Sequence, residues 1–124
     1  MLGPRWSPVG RYISTFTADA KKTMLLDLSS GKWSDVATGT ILQYPNWSPD
    51  SKYMYFEDVG RDGPEIDRVS VATKKKERVI GLKGVSRVLS ESGVPWNGMT
   101  PDGSPLIMRD VGTQEIYSLD LQLP

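Results

Sequence analysis

The chain has 124 residues, enough for one domain with its own core, and 15 Lys plus Arg balance 15 Asp plus Glu. That balance offers no basic face to nucleic acid or an anionic membrane. The absence of Cys and His removes disulfides, thiolate zinc sites, cysteine nucleophiles and any Ser-His-Asp triad within the chain. No apolar run approaches the roughly 18 to 20 residues that span a bilayer, and Met1–Trp6 lacks the basic and apolar stretches of a signal peptide.

The frequent Gly and Pro, 12 and 9 of them, predict many short strands joined by tight turns. The first predicted strand runs into Trp6. A turn follows at Ser7-Pro8-Val9-Gly10, then an aromatic and β-branched strand, Tyr12-Ile13-Ser14-Thr15-Phe16. A third strand falls at Met24-Leu25-Leu26-Asp27-Leu28. After the turn Ser29-Ser30-Gly31, an outer strand runs from Lys32 to Ala37.

The order then starts again. Trp47-Ser48-Pro49-Asp50-Ser51-Lys52-Tyr53-Met54 matches Trp6-Ser7-Pro8-Val9-Gly10-Arg11-Tyr12-Ile13, and Met99-Thr100-Pro101-Asp102-Gly103-Ser104-Pro105-Leu106 is a looser third copy. Ser7, Ser48 and Thr100 are 41 and 52 residues apart. The first interval fits the roughly 40 to 45 residue period of a four-stranded propeller blade, and the second needs an insertion of about ten. A Leu-Asp-Leu signal follows each copy: Asp27, Ser70 and Asp120 lie 20, 22 and 20 residues after Ser7, Ser48 and Thr100. The second copy's strands are Tyr53-Met54-Tyr55-Phe56, Ile66 to Val71 and an outer Glu77 to Ile80. The third has Ile116 to Leu121 and no outer strand.

The motif has a physical logic. The hydroxyl residue sits at position i of a type I turn and bonds to the following backbone, Pro presets φ at i+1, and Gly suits i+3. The strands after the turn do not alternate apolar with polar, which suits sheets covered on both faces by neighbouring blades. The expected fold is therefore all-β: a partial β-propeller of about two and a half to three four-stranded antiparallel blades, spanning 3–38, 43–81 and 85–124, the last lacking its outer strand. The structural residues of the motif are Trp6, Ser7, Pro8, Trp47, Ser48, Pro49, Asp50, Thr100, Pro101, Asp102 and Gly103, and all four tryptophans, Trp33 and Trp96 included, are expected in blade cores.

These repeats resemble those of the bacterial TolB family and related WD-like propellers from Pro4 to about Leu121, and the stretch Arg109 to Asp120 resembles the end of propellers appended to bacterial signalling proteins. Val9, Ser51 and Met99-Thr100 depart from the family pattern. The resemblance implies a non-catalytic interaction or sensor module binding a protein or small ligand, with an extracytoplasmic setting. A gating propeller of a prolyl-oligopeptidase-like hydrolase is the alternative. Three copies do not close a ring of typically four to eight blades, so the rest of the ring comes either from a longer parent chain or from association of copies through exposed blade faces.

Other features read as structural. Asp58-Val59-Gly60-Arg61-Asp62-Gly63 lacks the third-position oxygen and the twelfth-position Glu of a calcium loop, and reads as a loop between strands. Lys74-Lys75-Lys76-Glu77-Arg78 reads as a solvated turn guarding an edge. Asn46-Trp47-Ser48 fits the glycosylation pattern by coincidence, since Trp47 belongs inside. Glu57 and Asp58, adjacent on a strand, point to opposite faces and form no catalytic pair. No nucleophile elbow or phosphate loop occurs, so neither an enzymatic activity, a metal nor a cofactor is expected. The irregular stretch Gly81 to Asn97 is an inter-blade crossing with a strand inside it. Should the chain touch a ligand or partner, Arg87, Trp96 and Asn97 are the candidates.

Overall fold

The computed structural model describes residues 2–91, 93, 95–113 and 115–118. Its first sheet is β1 (Leu2–Trp6), β2 (Tyr12–Phe16), β3 (Lys22–Asp27) and β4 (Lys32–Thr38). The second is β5 (Leu42–Trp47), β6 (Tyr53–Gly60), β7 (Gly63–Ser70) and β8 (Lys76–Gly81). In both, strands are antiparallel and neighbours in sequence are neighbours in space. A hairpin of β9 (Asn97–Met99) and β10 (Pro105–Ile107) makes the third unit. This is the meander of four-stranded propeller blades, two complete and a third begun. No helix long and apolar enough to cross a membrane occurs among the described residues.

The motif turns form as their chemistry requires. The N–H of Gly10, Ser51 and Gly103 each donates to the carbonyl of Ser7, Ser48 and Thr100 at 2.9, 2.9 and 3.0 Å. Ser7 and Ser48 Oγ accept from the N–H of Tyr12 and Tyr53, both at 3.0 Å. The fourth turn residue is left-handed in every copy, at φ 75° for Gly10, 59° for Ser51 and 86° for Gly103. Glycine adopts that region freely, and Ser51 does so while its hydroxyl accepts from Val9 N–H at 3.1 Å, tying the second turn to the first. The hairpin turn at Thr17-Ala18-Asp19-Ala20 repeats the same chemistry without Pro: Thr17 bonds Asp19, and Lys22 N–H donates to Thr17 Oγ1 at 3.1 Å.

The main core lies between the two complete sheets. Phe16, Leu25 and Val36 of the first meet Leu42, Trp47, Met54, Phe56 and Val69 of the second. Each such burial is worth about 1.5–3 kcal/mol. The Trp47 indole N–H is satisfied inside the interface, 3.1 Å from Ser14 Oγ and 3.3 Å from Arg5 O, and its ring stacks on Tyr12. A second cluster, Tyr55, Ile66 and Leu82 with Tyr53, Met99 and Ile107, joins the second sheet to the third unit. β6 is buried on both faces from Met54 to Asp58, as expected for a strand between two blades.

Three expectations are corrected. Only Trp47 is a core tryptophan; Trp6, Trp33 and Trp96 are 63%, 40% and 46% exposed, because Trp6 and Trp33 lie on the face of the first sheet that no other sheet covers. The third motif is one residue shorter than the others: Thr100 exchanges hydrogen bonds with Ser104 where Ser48 does so with Tyr53, and Met99 pairs with Pro105. A one-residue slip flips every following side chain, so Leu106 faces out and Ile107 packs in. Finally, no strand forms at 115–118, where Ile116 and Tyr117 are exposed. β10 is only three residues long, and its continuation pairs with the crossing segment instead. The rest of that expected strand, 119–121, lies outside the described residues.

Candidate interaction site

The crossing that holds the candidate residues is built onto the third unit. Val88 N–H donates to Met108 O at 3.0 Å and Asp110 N–H to Ser86 O at 2.9 Å, framing the bridge Arg87↔Arg109, while Leu89↔Pro95 closes the segment on itself. Strand-like pairing therefore does sit inside the crossing. Its anchor to the second sheet is a side-chain network around Glu57, which is fully buried.

Arg87 grips Glu57 with both guanidinium ends, NH2 to Oε1 at 2.7 Å and NH1 to Oε2 at 2.9 Å. Asn97 Nδ2 donates to Oε2 at 2.7 Å, and Gln43 Nε2 to Oε1 at 3.3 Å. Asn46, the residue of the glycosylation pattern, turns inward with its Nδ2 on Tyr44 O and Asn97 Oδ1. Two acceptor positions on each carboxylate oxygen are thereby filled, the condition a buried charge needs. The Glu57 carboxylate holds the Arg87 guanidinium above its ordinary range. Burial first, then the charge of Glu57, raises the Tyr44 phenol. Tyr44 itself sits at φ 55° within an irregular stretch of β5, a strained conformation for an aromatic residue.

The three candidates thus take two positions. Arg87 and Asn97 are brought together, their side chains buried and turned to Glu57. Trp96 stands outside, its ring lying over Gly98, where a Cβ would meet it at 2.8 Å. Val88 and Leu89 of the same crossing are exposed as well, at 40% and 59%, among the exposed polar residues Lys83, Ser86, Ser90 and Glu91. A cavity of about 370 Å³ opens beside the network, between Gln43, Glu57, Val59, Pro64, Arg87 and Pro95.

Glu57 was missed as a partner, although a charge after the apolar run Tyr53–Phe56 has to find a counter-ion if that strand is covered on both faces. Asp58 points the other way, as adjacent strand residues must. It accepts from the N–H of Thr40 and Ile41 at 2.8 and 3.3 Å, so the segment from Asp58 to Gly63 is a β6–β7 hairpin with a buried structural carboxylate. Lys76 leaves its basic turn and reaches the interface: Nζ lies 3.0 Å from Asp67 and 3.4 Å from Asp58, and donates to Thr38 O at 3.1 Å. Burial lowers its affinity for the proton, but the bond to Asp67 and the charges of Asp67 and Asp58 raise it to a net upward shift. Asp58, Glu65 and Asp67 converge within 4.8 Å of one another, and the Lys76 ammonium is the cation that compensates two of them.

Compared with solved structures, the chain superimposes on TolB from Acinetobacter baumannii with a TM-score of 0.58 at 20% identity, covering 90% of this chain and 38% of that one. The fold is that of a TolB-like propeller. Another TolB-like match is a putative TolB from Agrobacterium tumefaciens, with a TM-score of 0.51 at 25% identity over 64% of this chain and 31% of that one. The chain thus spans about a third of the length of the TolB structures it matches. No family model and no curated protein sequence matches it.

Proposed function

We propose that the chain is part of a non-catalytic interaction propeller, and that the crossing between its second and third repeats is the surface presented to a protein partner. The observation that carries this reading is the pairing of a rigid anchor with an unprotected tip. A buried, fully bonded Glu57–Arg87–Asn97 cluster holds a loop that exposes three large apolar side chains, Val88, Leu89 and Trp96, between polar ones such as Ser90 and Glu91. Rigid sheets with a variable loop at their junction are a common way to build a recognition surface, and exposed aromatic residues are the usual anchors of such contacts. In this reading Trp96 touches the partner, and Arg87 and Asn97 position it.

A photo-cross-linking residue at position 96, compared with one at Lys32 on the exposed outer strand of the first sheet, tests this in the producing cell. The expected result is a discrete, saturable adduct at 96 alone, lost when Val88 and Leu89 become Ser in the same chain. Equal labelling at both positions, or an adduct indifferent to Val88 and Leu89, overturns the proposal.

A further inference from the structure

We infer that Asp58, Glu65 and Asp67 form a calcium site at the margin of the interface between the two complete sheets, with the Lys76 ammonium as a built-in competitor for it. Asp58 pairs with Glu65 across β6 and β7, and Asp67 pairs with Phe56. Opposed residues share a face, and so do residues two apart on a strand. Phe56 belongs to the core between the sheets, so all three carboxylates leave the face that the second sheet turns to the first. That face is apolar at Met54, Phe56 and Val69 and becomes acidic beyond them.

The donors converge. One oxygen of each carboxyl group lies within 4.8 Å of the other two. Two ligands of one Ca2+ ion, at bond lengths of about 2.3–2.6 Å, stand up to about 4.6–5.2 Å apart, so the set fits a single ion as it stands. Asp58 is already oriented: its Oδ1 takes the N–H groups of Thr40 and Ile41. Gly39 packs so closely on the other oxygen that a Cβ there would meet Oδ2 at 2.4 Å. Thr38 brings a main-chain carbonyl to the same place, 3.1 Å from Lys76 Nζ. Carboxylate and carbonyl oxygens alone select hard cations.

Asp67 distinguishes this cluster from an ordinary acidic patch. It is 1% exposed, and neither of its carboxylate oxygens accepts a hydrogen bond among the described residues. Lys76 Nζ, 3.0 Å from Oδ2, meets it as a charge and not as an aligned donor. The other buried side-chain oxygen left unbonded among the described residues is Thr23 Oγ1. Thr23 pairs with Phe16 and so faces the same interface from the first sheet. Such atoms cost on the order of 1–3 kcal/mol each, and a bound ion or ordered water is a usual reason for their presence.

Lys76 accounts for folding without the ion. Its ammonium touches Asp58 Oδ2 at 3.4 Å, Asp67 Oδ2 at 3.0 Å and Thr38 O at 3.1 Å, the oxygens that Ca2+ would take. Its side chain is 34% exposed, so the stem can swing into water and release them. Arg78 stays on Glu65, Nε to Oε2 at 3.0 Å. Three carboxylates then face one guanidinium and one divalent ion, and the charges cancel. The pocket holds one ammonium or one ion, never both.

The test is an NMR titration of the full chain with calcium chloride at fixed ionic strength, run in parallel with magnesium chloride. Calcium should give saturable shifts centred on the amides of Thr38, Gly39, Asp58, Glu65, Asp67 and Lys76, and magnesium should bind at least about tenfold more weakly. Lys76→Met, or Lys76→Gln, which keeps a donor for Thr38 O, should tighten calcium binding about tenfold or more by removing the competing charge. The urea midpoint lost in these variants should return toward the parent's as calcium is added. Glu65→Gln, at a partly exposed position, and Asp67→Asn should each abolish the shifts. Absence of saturable shifts in both the parent and the Lys76 variants overturns the inference. Calcium binding that survives both carboxylate changes, or that magnesium matches, overturns it as well.

Discussion

The two interfaces of this molecule join like elements by opposite means. Between the first and second sheets the contact is apolar, closed by Trp47 and tied at its margin by Lys76. Between the second sheet and the third unit, an ion pair lies at the centre and the apolar cluster beside it is smaller. The difference begins at one repeat position. Phe16 and Glu57 each lie nine residues after the motif serine, and both face the following unit. A phenyl ring there needs only apolar neighbours. A carboxylate needs donors, and the long crossing supplies Arg87. A repeat can thus change the character of its interface at one strand position, provided the next connection brings the counter-charge.

The sharpest way to break this comparison is to remove one partner on each side. Trp47→Ala should cost about 3–5 kcal/mol in urea unfolding, since it deletes a core aromatic and strands space between sheets. Arg87→Ala should cost a similar 3–5 kcal/mol by leaving Glu57 buried and unpaired. Amide exchange should show that loss in the third unit first. The double change Glu57→Met/Arg87→Met turns the second interface into the first kind and should restore stability to within about 1 kcal/mol of the parent or above it. If the double variant is as unstable as Arg87→Ala, the ion pair does more than satisfy itself.

Smaller effects follow at the margins. Lys76→Met should cost about 1–3 kcal/mol, because the buried Asp67 then loses the ammonium that lies 3.0 Å from it. The turn aspartates Asp19, Asp50 and Asp102 are held below the ordinary carboxylate range, first by the hydroxyls of Thr17, Ser48 and Thr100 and then by backbone N–H groups. Their stabilisation is therefore complete above about pH 5 and is lost as pH falls through 4 toward the folded values. Changing all three to Asn should flatten the fall of the urea midpoint in that window. Smallest of all, Trp6→Ala in the chain as it stands should change stability by no more than about 0.5 kcal/mol, against the large cost at Trp47, its repeat counterpart.

Much of the fold was legible in the sequence because the turn chemistry is local. Ser7, Ser48 and Thr100 announce where each second strand starts, and the Asp27 and Ser70 signals place the third strands. What escaped is what depends on counting residues in a loop or on partners far along the chain. One residue fewer in the third turn reversed Leu106 and Ile107, and nothing in the motif itself marks the deletion. Trp6 looks like Trp47 in sequence, and only the presence of a covering sheet separates a core residue from a surface one. In the crossing, the sequence marked an irregular stretch, but not that Arg87 and Asn97 turn inward while Trp96 stays exposed, because that arrangement is imposed by Glu57, 30 residues before Arg87.

The Ser51 hydroxyl and the linker residues after β4 have a mechanical meaning. At one rim of the paired sheets, Ser51 fastens the second turn to Val9. At the other, Gly39 and Leu42 donate to Lys21 and Ala20 of the first sheet, and Ile41 accepts from Val59 of the second. Fastened at both ends, two sheets cannot slide or splay without breaking a bond, so the wedge angle between them is fixed. In a circular array built from such wedges, these rim contacts act with the packed interior to hold the angle from one sheet to the next.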